Sequence, residues 1–482
     1  MSDPLSFLPL ALAARSGTVD GTPASQFVAA GLTLLQRSPP LVRALSGRRA
    51  GILLPTVPAY LTALAASDGR GAVLMNPLAS PVELAYQIAD AGIGAVFTSR
   101  DLQPRLPIDV PTALLDDAPR SARVIAGGVS RDVDLGSHVA LSIQGDPDTE
   151  ASEEEAVIVY TSAMNGRALG AILSHRNLLT NARATIEAAA ITASDHALAA
   201  LPLSHLFGLV AAALAPLLAG ARVTTVARFR PVQALEAFER DGVTMFVGVP
   251  AMFIAMLDAL ARRGAARLDA PALRLCICGG ALLDASIQSR WQDATGVELR
   301  QGYGLTEASP VVLVNGMESP NVLGSLGRPF PGVDVTIRDL ETFGARTGSG
   351  VGEICVRGPT VFQGYVQSRG APVARGLEVR DGWLRTGDLG EWRPDGTVAF
   401  RGLLKAMFTR NGFNIYPREL EVAIEELPGV TAARISAVPD LLKEHAIVAD
   451  VEGRTTVEDV RLWCAARLSA YKQPTIITIS GR

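Results

Sequence analysis

Short runs of β-branched and apolar residues alternate, through the first part of the chain, with Ala/Leu-rich stretches whose apolar positions recur at helical spacing. The runs at 50–54, 95–98, 222–226, 244–249 and 274–278 predict strands, and intervening segments such as 231–240 predict helices. Strands separated by helices are the pattern of a layered α/β domain with largely parallel sheets. Beyond Gly324 the rhythm changes. Segments 333–337, 352–356 and 396–401 follow one another between Gly, Pro and Asp turns, which predicts a β-rich subdomain. A small α+β tail comes next, with helices expected over 417–426 and 457–468. The expected fold class is α/β. A large N-terminal domain over residues 1–401, made of layered α/β subdomains and a β-rich subdomain, precedes a small α+β C-terminal domain over 402–482.

Bulk properties narrow the partners. The longest apolar stretch, 207–219, is interrupted by Pro216 and too short to cross a bilayer, and the start Met1-Ser2-Asp3-Pro4 lacks the positive lead of a secretory signal. With 482 residues, 48% of them hydrophobic, and a formal charge of -4, the chain has room for more than one core and is no basic nucleic-acid binder. No nucleic acid and no membrane partner is expected, and a cytoplasmic location follows. The 4 cysteines lack paired metal-ligand spacing, so reduced thiols are expected, with no metal site. The acidic stretch 146–155 reads as a solvated approach to the loop after it.

That loop carries the first candidate chemistry. A strand expected over 156–160 enters Thr161-Ser162-Ala163-Met164-Asn165-Gly166-Arg167-Ala168-Leu169-Gly170. A Thr-Ser-Gly turn after a strand offers hydroxyls and backbone N–H groups to phosphates, but the usual lysine is absent. Downstream stand Leu201-Pro202-Leu203-Ser204-His205-Leu206-Phe207-Gly208, Gly248-Val249-Pro250, Gly279-Gly280-Ala281 and Gly302-Tyr303-Gly304-Leu305-Thr306-Glu307. Gly324-Ser325-Leu326-Gly327-Arg328-Pro329, Gly364-Tyr365, Thr386-Gly387-Asp388-Leu389-Gly390 and Gly412-Phe413-Asn414-Ile415-Tyr416-Pro417 follow.

On these motifs, in this order, nearly the whole chain resembles the adenylate-forming superfamily: acyl- and aryl-CoA ligases, peptide-synthetase adenylation domains and luciferases. The resemblance implies an acyl pocket with substrate-binding residues Phe207, Gly208, Val249, Gly279, Gly280, Ala281, Gly302, Tyr303, Gly304 and Thr306. It implies a nucleotide-type site at Thr161, Ser162, Glu307 and Asp388, and hinge or pantetheine residues at Lys405, Gly412 and Phe413. Relatives use one site for two half-reactions, acyl-adenylate formation from ATP and then transfer to a pantetheine thiol.

The departures from the family pattern cluster on the first half-reaction. The phosphate loop has lost its lysine, Leu403 stands where relatives carry a nucleotide-contacting arginine, and Ala406 replaces the hinge aspartate. The sequence ends at Ser480-Gly481-Arg482, where a C-terminal lysine is expected. A phosphoryl transition state needs cations, so the expectation is an acyltransferase similar to ligase-like anthraniloyltransferases. It would move an acyl or aryl group from a CoA thioester donor to the phosphopantetheine of an acyl carrier protein, with ATP and Mg not expected and AMP possible. Two alternatives stay open: an ATP-dependent acyl- or aryl-CoA ligase with a divergent loop, and a non-catalytic binding scaffold.

In the transferase reading the acyl group waits on Cys278, with His205 as base, or on bound AMP. Equally, Cys276 and Cys278 on a buried strand read as core residues, and His205 as pocket wall. Tyr303, Thr306, Glu307 and Asp388 read as either nucleotide ligands or inherited loop structure. The pocket segments 205–210, 247–252 and 308–314 are apolar, favouring an apolar or aromatic acyl group. Arg410, Arg418, Lys443 and Lys472 are candidates to face an acidic carrier.

Overall fold

The computed structural model describes residues 12, 15–67, 71–107, 109–136, 153–161, 167–346, 348, 350–366, 378–404, 406–410, 413–440 and 444–480. Two nine-stranded sheets form the large domain. The first is centred on the parallel strands Glu155–Thr161, Ala72–Leu74, Arg49–Leu53 and Ile93–Thr98. The second is centred on Leu299–Gly304, Leu275–Cys278, Met245–Gly248 and His196–Ala199, also parallel. Every residue of Ile93–Thr98, Met245–Gly248 and Leu275–Cys278 is buried. Parallel strands covered on both faces demand such continuous apolar runs, which is why these segments read as unbroken hydrophobic stretches.

Helix starts follow local chemistry. Ser80 and Ser174 each form a capping box, with Glu83 and Asn177 respectively, opening Pro81–Asp90 and His175–Ala188. The apolar stretch 207–219 is a buried element, not a span: Phe207–Leu214 forms π-helical turns continued by Ala215–Leu218, all buried beside His175–Ala188. Among the described residues no helix is long and apolar enough to cross a membrane.

The β-rich region is a five-stranded sheet built on Asp334–Arg338, Gly352–Arg357, Trp383–Trp392 and Val398–Leu403. The strand expected over 396–401 begins later because Asp395 and Gly396 are a turn: Thr397 N–H donates to Asp395 Oδ1 at 2.9 Å, and Gly396 sits at φ +78°. The small domain packs helices Pro417–Glu425 and Val457–Arg467 with a three-stranded sheet around Leu420, Ile424, Ile447, Val451 and Val460. Of the acidic stretch, 146–152 lies outside the described residues. Its last member is no solvated charge, because Glu155 takes both oxygens to Arg49 at 2.8 and 2.9 Å.

The second sheet has its own core on the side away from the first. Phe246, Phe253 and Trp291 pack edge to face there, with centroids 5.5 and 4.9 Å apart, over Cys276 and Cys278. Phe253 is fully buried. Phe253→Ala is therefore expected to lower stability by about 3–5 kcal/mol, read as a fall in the urea midpoint at unchanged m-value.

Candidate functional site

A cavity of about 800 Å³ opens where the second sheet, the β-rich sheet and the small domain meet. Strand periodicity decides what faces it. On Leu275–Cys278, Leu275 and Ile277 line the cavity. Cys276 and Cys278 point to the opposite core and are fully buried. Cys278 is thus misplaced for an acyl-enzyme: the alternation of a strand turns its sulfur away from the cavity. Burial pushes the neighbouring Cys276 thiol up to about 12, the reverse of what a nucleophilic sulfur requires.

Further along, Gly279, Gly280 and Ala281 do line the cavity. A Cβ at Gly279 would lie 3.0 Å from the Phe207 ring, so the missing side chain lets that ring form the wall. Phe207 lines the cavity, whereas Gly208 and Val249 are absent from its walls. Gly208 is buried with its Cα against the Pro202 carbonyl, and Val249 is the buried residue that opens helix Pro250–Arg262.

His205 also lines the cavity, and its tautomer is fixed. Phe207 N–H donates to His205 Nδ1 at 3.2 Å, so Nδ1 must carry the lone pair and the proton sits on Nε2. Desolvation lowers its pKa to about 4, and protonating Nδ1 would also break that hydrogen bond. The ring is a neutral Nε2–H donor at neutral pH.

The strand Leu299–Gly304 delivers Gly302, Tyr303 and Gly304 to the cavity, and the single turn Thr306–Ala308 delivers Thr306 and Glu307. Tyr303 Oη donates to Asp388 Oδ2 at 2.5 Å, joining the second sheet to strand Trp383–Trp392. Burial first, and then the Asp388 charge, hold the Tyr303 hydroxyl well above its ordinary pKa, so it remains a donor. Tyr365 Oη donates to Glu307 Oε1 at 2.7 Å. The Gly364-Tyr365 motif was visible in the sequence; that its hydroxyl orients the Glu307 carboxylate was not. Thr161 and Arg167 line the wall at the two ends of the loop, while Ser162 lies outside the described residues. Leu403 pairs with Asp388 in the sheet register and also lines the cavity.

The small domain completes the walls with Phe413, Asn414, Tyr416 and His445. Phe413 stacks on Tyr471 with centroids 4.3 Å apart and planes at 20°. Lys405 and Gly412 lie outside the described residues, as does Lys443. Two of the cations expected to face an acidic carrier are instead interior. Arg410 is buried and donates to the carbonyls of Tyr471 and Gln473 at 3.2 and 2.8 Å. Lys472 is buried between Glu83 and Glu419. Arg418 is exposed and paired with Glu425 at 3.0 Å. The folded tail needs internal cations to satisfy its own carbonyls and carboxylates, a demand that a charge count cannot register.

With the geometry in view, relationship to known proteins can be stated. The family model described as AMP-binding enzyme matches residues 43–366. The chain belongs to that family. It is 33% identical over 445 residues to a feruloyl-CoA synthase of Amycolatopsis sp, covering 90% of this chain and 85% of that protein. It is similar in structure to a malonyl-CoA ligase ternary product complex with methylmalonyl-CoA and AMP bound (TM-score 0.78, 27% identity, 98% of this chain and 96% of that one). It is also similar to the ATP-bound MatB of Rhodopseudomonas palustris (TM-score 0.66, 25% identity, 100% and 93%).

These AMP-binding relatives are CoA synthases and ligases, and one is captured with ATP. They overturn the expectation of an ATP-independent transferase that uses neither ATP nor Mg. The weight given to the missing motif cations was too great, and Arg167, judged from the sequence too little to compensate for them, lines the cavity at the far end of the loop.

Two outcomes follow from the buried groups. Cys278→Ala is expected to leave turnover within about twofold, because the removed atom lies in the opposite core; a loss of all activity with native folding would contradict the placement. For His205, an unfolded imidazole near 6.5 takes up a proton that the folded one, near 4, refuses. Stability is therefore present above pH 6.5 and falls as pH drops from there towards 4. Urea midpoints measured at both ends of that window should show a smaller fall in His205→Gln than in the parent.

Proposed function

We propose that this chain is an ATP-dependent acyl- or aryl-CoA ligase acting on an apolar, aromatic-type carboxylic acid. The observation that carries the reading is the single cavity in which Tyr303, Thr306, Glu307 and Asp388 of the large domain meet Phe413 and Asn414 of the small one. A nucleotide-type wall and a mobile cover on one space suit a reaction in two halves. The division into 1–401 and 402–482 is part of this proposal.

In the first half, a carboxylate oxygen of the acid attacks the α-phosphorus of ATP and pyrophosphate leaves, giving the acyl-adenylate. The apolar wall of Phe207, Ile277, Val311 and Val314 takes the acid's body, and neutral His205 presents an N–H donor at its polar end. Asp388, held by Tyr303, accepts from ribose hydroxyls, and Thr306 donates to the phosphate. Arg167 supplies positive charge beside the leaving group. Glu307 is a buried carboxylate held by Tyr365, which fits a magnesium ligand that leaves its other positions to phosphate and water. When bound, that ion neutralises charge on the phosphates. In the second half, the CoA sulfur attacks the acyl carbonyl and AMP departs, with Phe413 and Asn414 covering the approach.

The feruloyl-CoA synthase relationship favours an aryl acid, and the apolar side chains of Phe207, Ile277, Val311 and Val314 on the wall agree with a neutral body.

The test is exchange of labelled pyrophosphate into ATP across a panel of cinnamic, benzoic and fatty acids, followed by CoA addition. Exchange dependent on an aryl acid, and thioester formed only with ATP present, is the expected result. No exchange with any acid would sink the ligase. Glu307→Gln is expected to slow exchange on the order of a hundredfold with little change in unfolding midpoint.

A further inference from the structure

We infer that Glu83 and Lys472 form a reversible latch that holds the small domain over the cavity during thioester formation, making Glu83 a positioning residue for that half-reaction. The inference rests on the two-half-reaction reading above. Glu83 lies in the first turn of Pro81–Asp90 in the large domain, and Lys472 follows helix Val457–Arg467 in the small one. Lys472 Nζ donates to Glu83 Oε1 at 2.9 Å and to Glu419 Oε1 at 2.5 Å. Ser469 Oγ donates to Glu83 Oε2 at 2.5 Å, and Ser80 Oγ donates to the Arg467 carbonyl at 2.5 Å. Three polar contacts thus join residues nearly four hundred positions apart in sequence.

What makes this arrangement a latch is that each half is chemically complete alone. Glu83 Oε2 also accepts from Ser80 N–H at 2.7 Å, and Ser80 Oγ accepts from Glu83 N–H at 3.2 Å. This capping box fixes the carboxylate wherever the small domain lies. Lys472 and Glu419 both belong to the small domain and travel together as a neutral pair. Separation exposes one capped carboxylate and leaves no buried charge unmatched, so the domain can depart without the penalty that breaking an ordinary buried ion pair imposes. Closure adds the second carboxylate to Lys472, whose side chain is then 6% exposed. There the surroundings are dry enough to strengthen the attraction.

The same contacts position the cover. Tyr471, adjacent to Lys472, stacks on Phe413, so fixing Lys472 against the large domain fixes the ring that lines the cavity. Glu419 Oε2 has no hydrogen-bond partner among the described residues, which makes Lys472 its main compensation. Replacing Lys472 would disturb the small domain itself, so the informative changes are at Glu83 and Ser469.

The experiment measures both half-reactions and the domain separation in Glu83→Gln and Ser469→Ala. Glutamine keeps an acceptor for the cap but removes the charge. Pyrophosphate exchange should be unchanged within about twofold, while thioester formation from preformed acyl-adenylate falls about tenfold or more in E83Q and less in S469A. Independently of activity, spin labels at Val129→Cys and Leu462→Cys, both well exposed, should show one separation in the parent and an additional, different population in E83Q. An unchanged ratio of the two half-reactions, or an unchanged distance distribution, overturns the latch. Should E83Q fail to fold, S469A carries both readouts. Absence of pyrophosphate exchange in the parent strikes the ligase reading alone, because the distance measurement still decides the latch.

Discussion

The hydrogen bond from Tyr303 to Asp388 is the contact on which the site depends. It closes the angle between the last parallel strand of the second sheet and the long strand of the β-rich sheet. Neither sheet contains the cavity on its own. Because the tyrosine is buried and stays protonated, the bond always runs from hydroxyl to carboxylate and gives Asp388 one defined orientation. Around that fixed point the glycine at 304 lets the chain pass close to its neighbour: a Cβ there would collide with the Pro310 carbonyl. The turn carrying Thr306 and Glu307 follows directly. A short, over-constrained stretch of backbone therefore sets the positions of most of the polar groups that the reaction uses.

Much of the architecture was legible because its signals are local. Short apolar runs such as 275–278 suit strands covered on both faces, and the capping boxes at Ser80 and Ser174 start their helices without tertiary help. The order of motifs carried the family. What stayed hidden depends on the third dimension. The strand predicted at 274–278 was right, yet period two alone cannot say which of its faces meets the cavity, and the face chosen for Cys278 was the wrong one. Gly208 and Val249 sit in motifs beside the pocket but serve packing. Lys472 looked like a surface charge because its two carboxylate partners lie in other segments, one of them in another domain.

Charge was the harder quantity to read, and it misled most. A loop without its lysine suggested a site without cations, although electrostatic stabilisation depends on where positive groups converge and not on which motif position supplies them. The relatives with ligase chemistry correct that reading, and the cavity's own wall offers an arginine at the loop's exit. Cations counted as free on the small domain proved to be committed to its interior, where Arg410 ties down the carbonyls that support Tyr471.

The burial of every cysteine has a practical meaning. Cys276, Cys278 and Cys355 are fully enclosed and Cys464 is 1% exposed, so a water-soluble chromogenic disulfide finds no polypeptide sulfur to react with while the protein is folded. In the proposed ligase reaction, the CoA thiol that remains can then be titrated by colour in withdrawn samples, without background from the catalyst. Any slow rise in colour after the reaction has finished would report unfolding instead, making one reagent a monitor of both turnover and integrity.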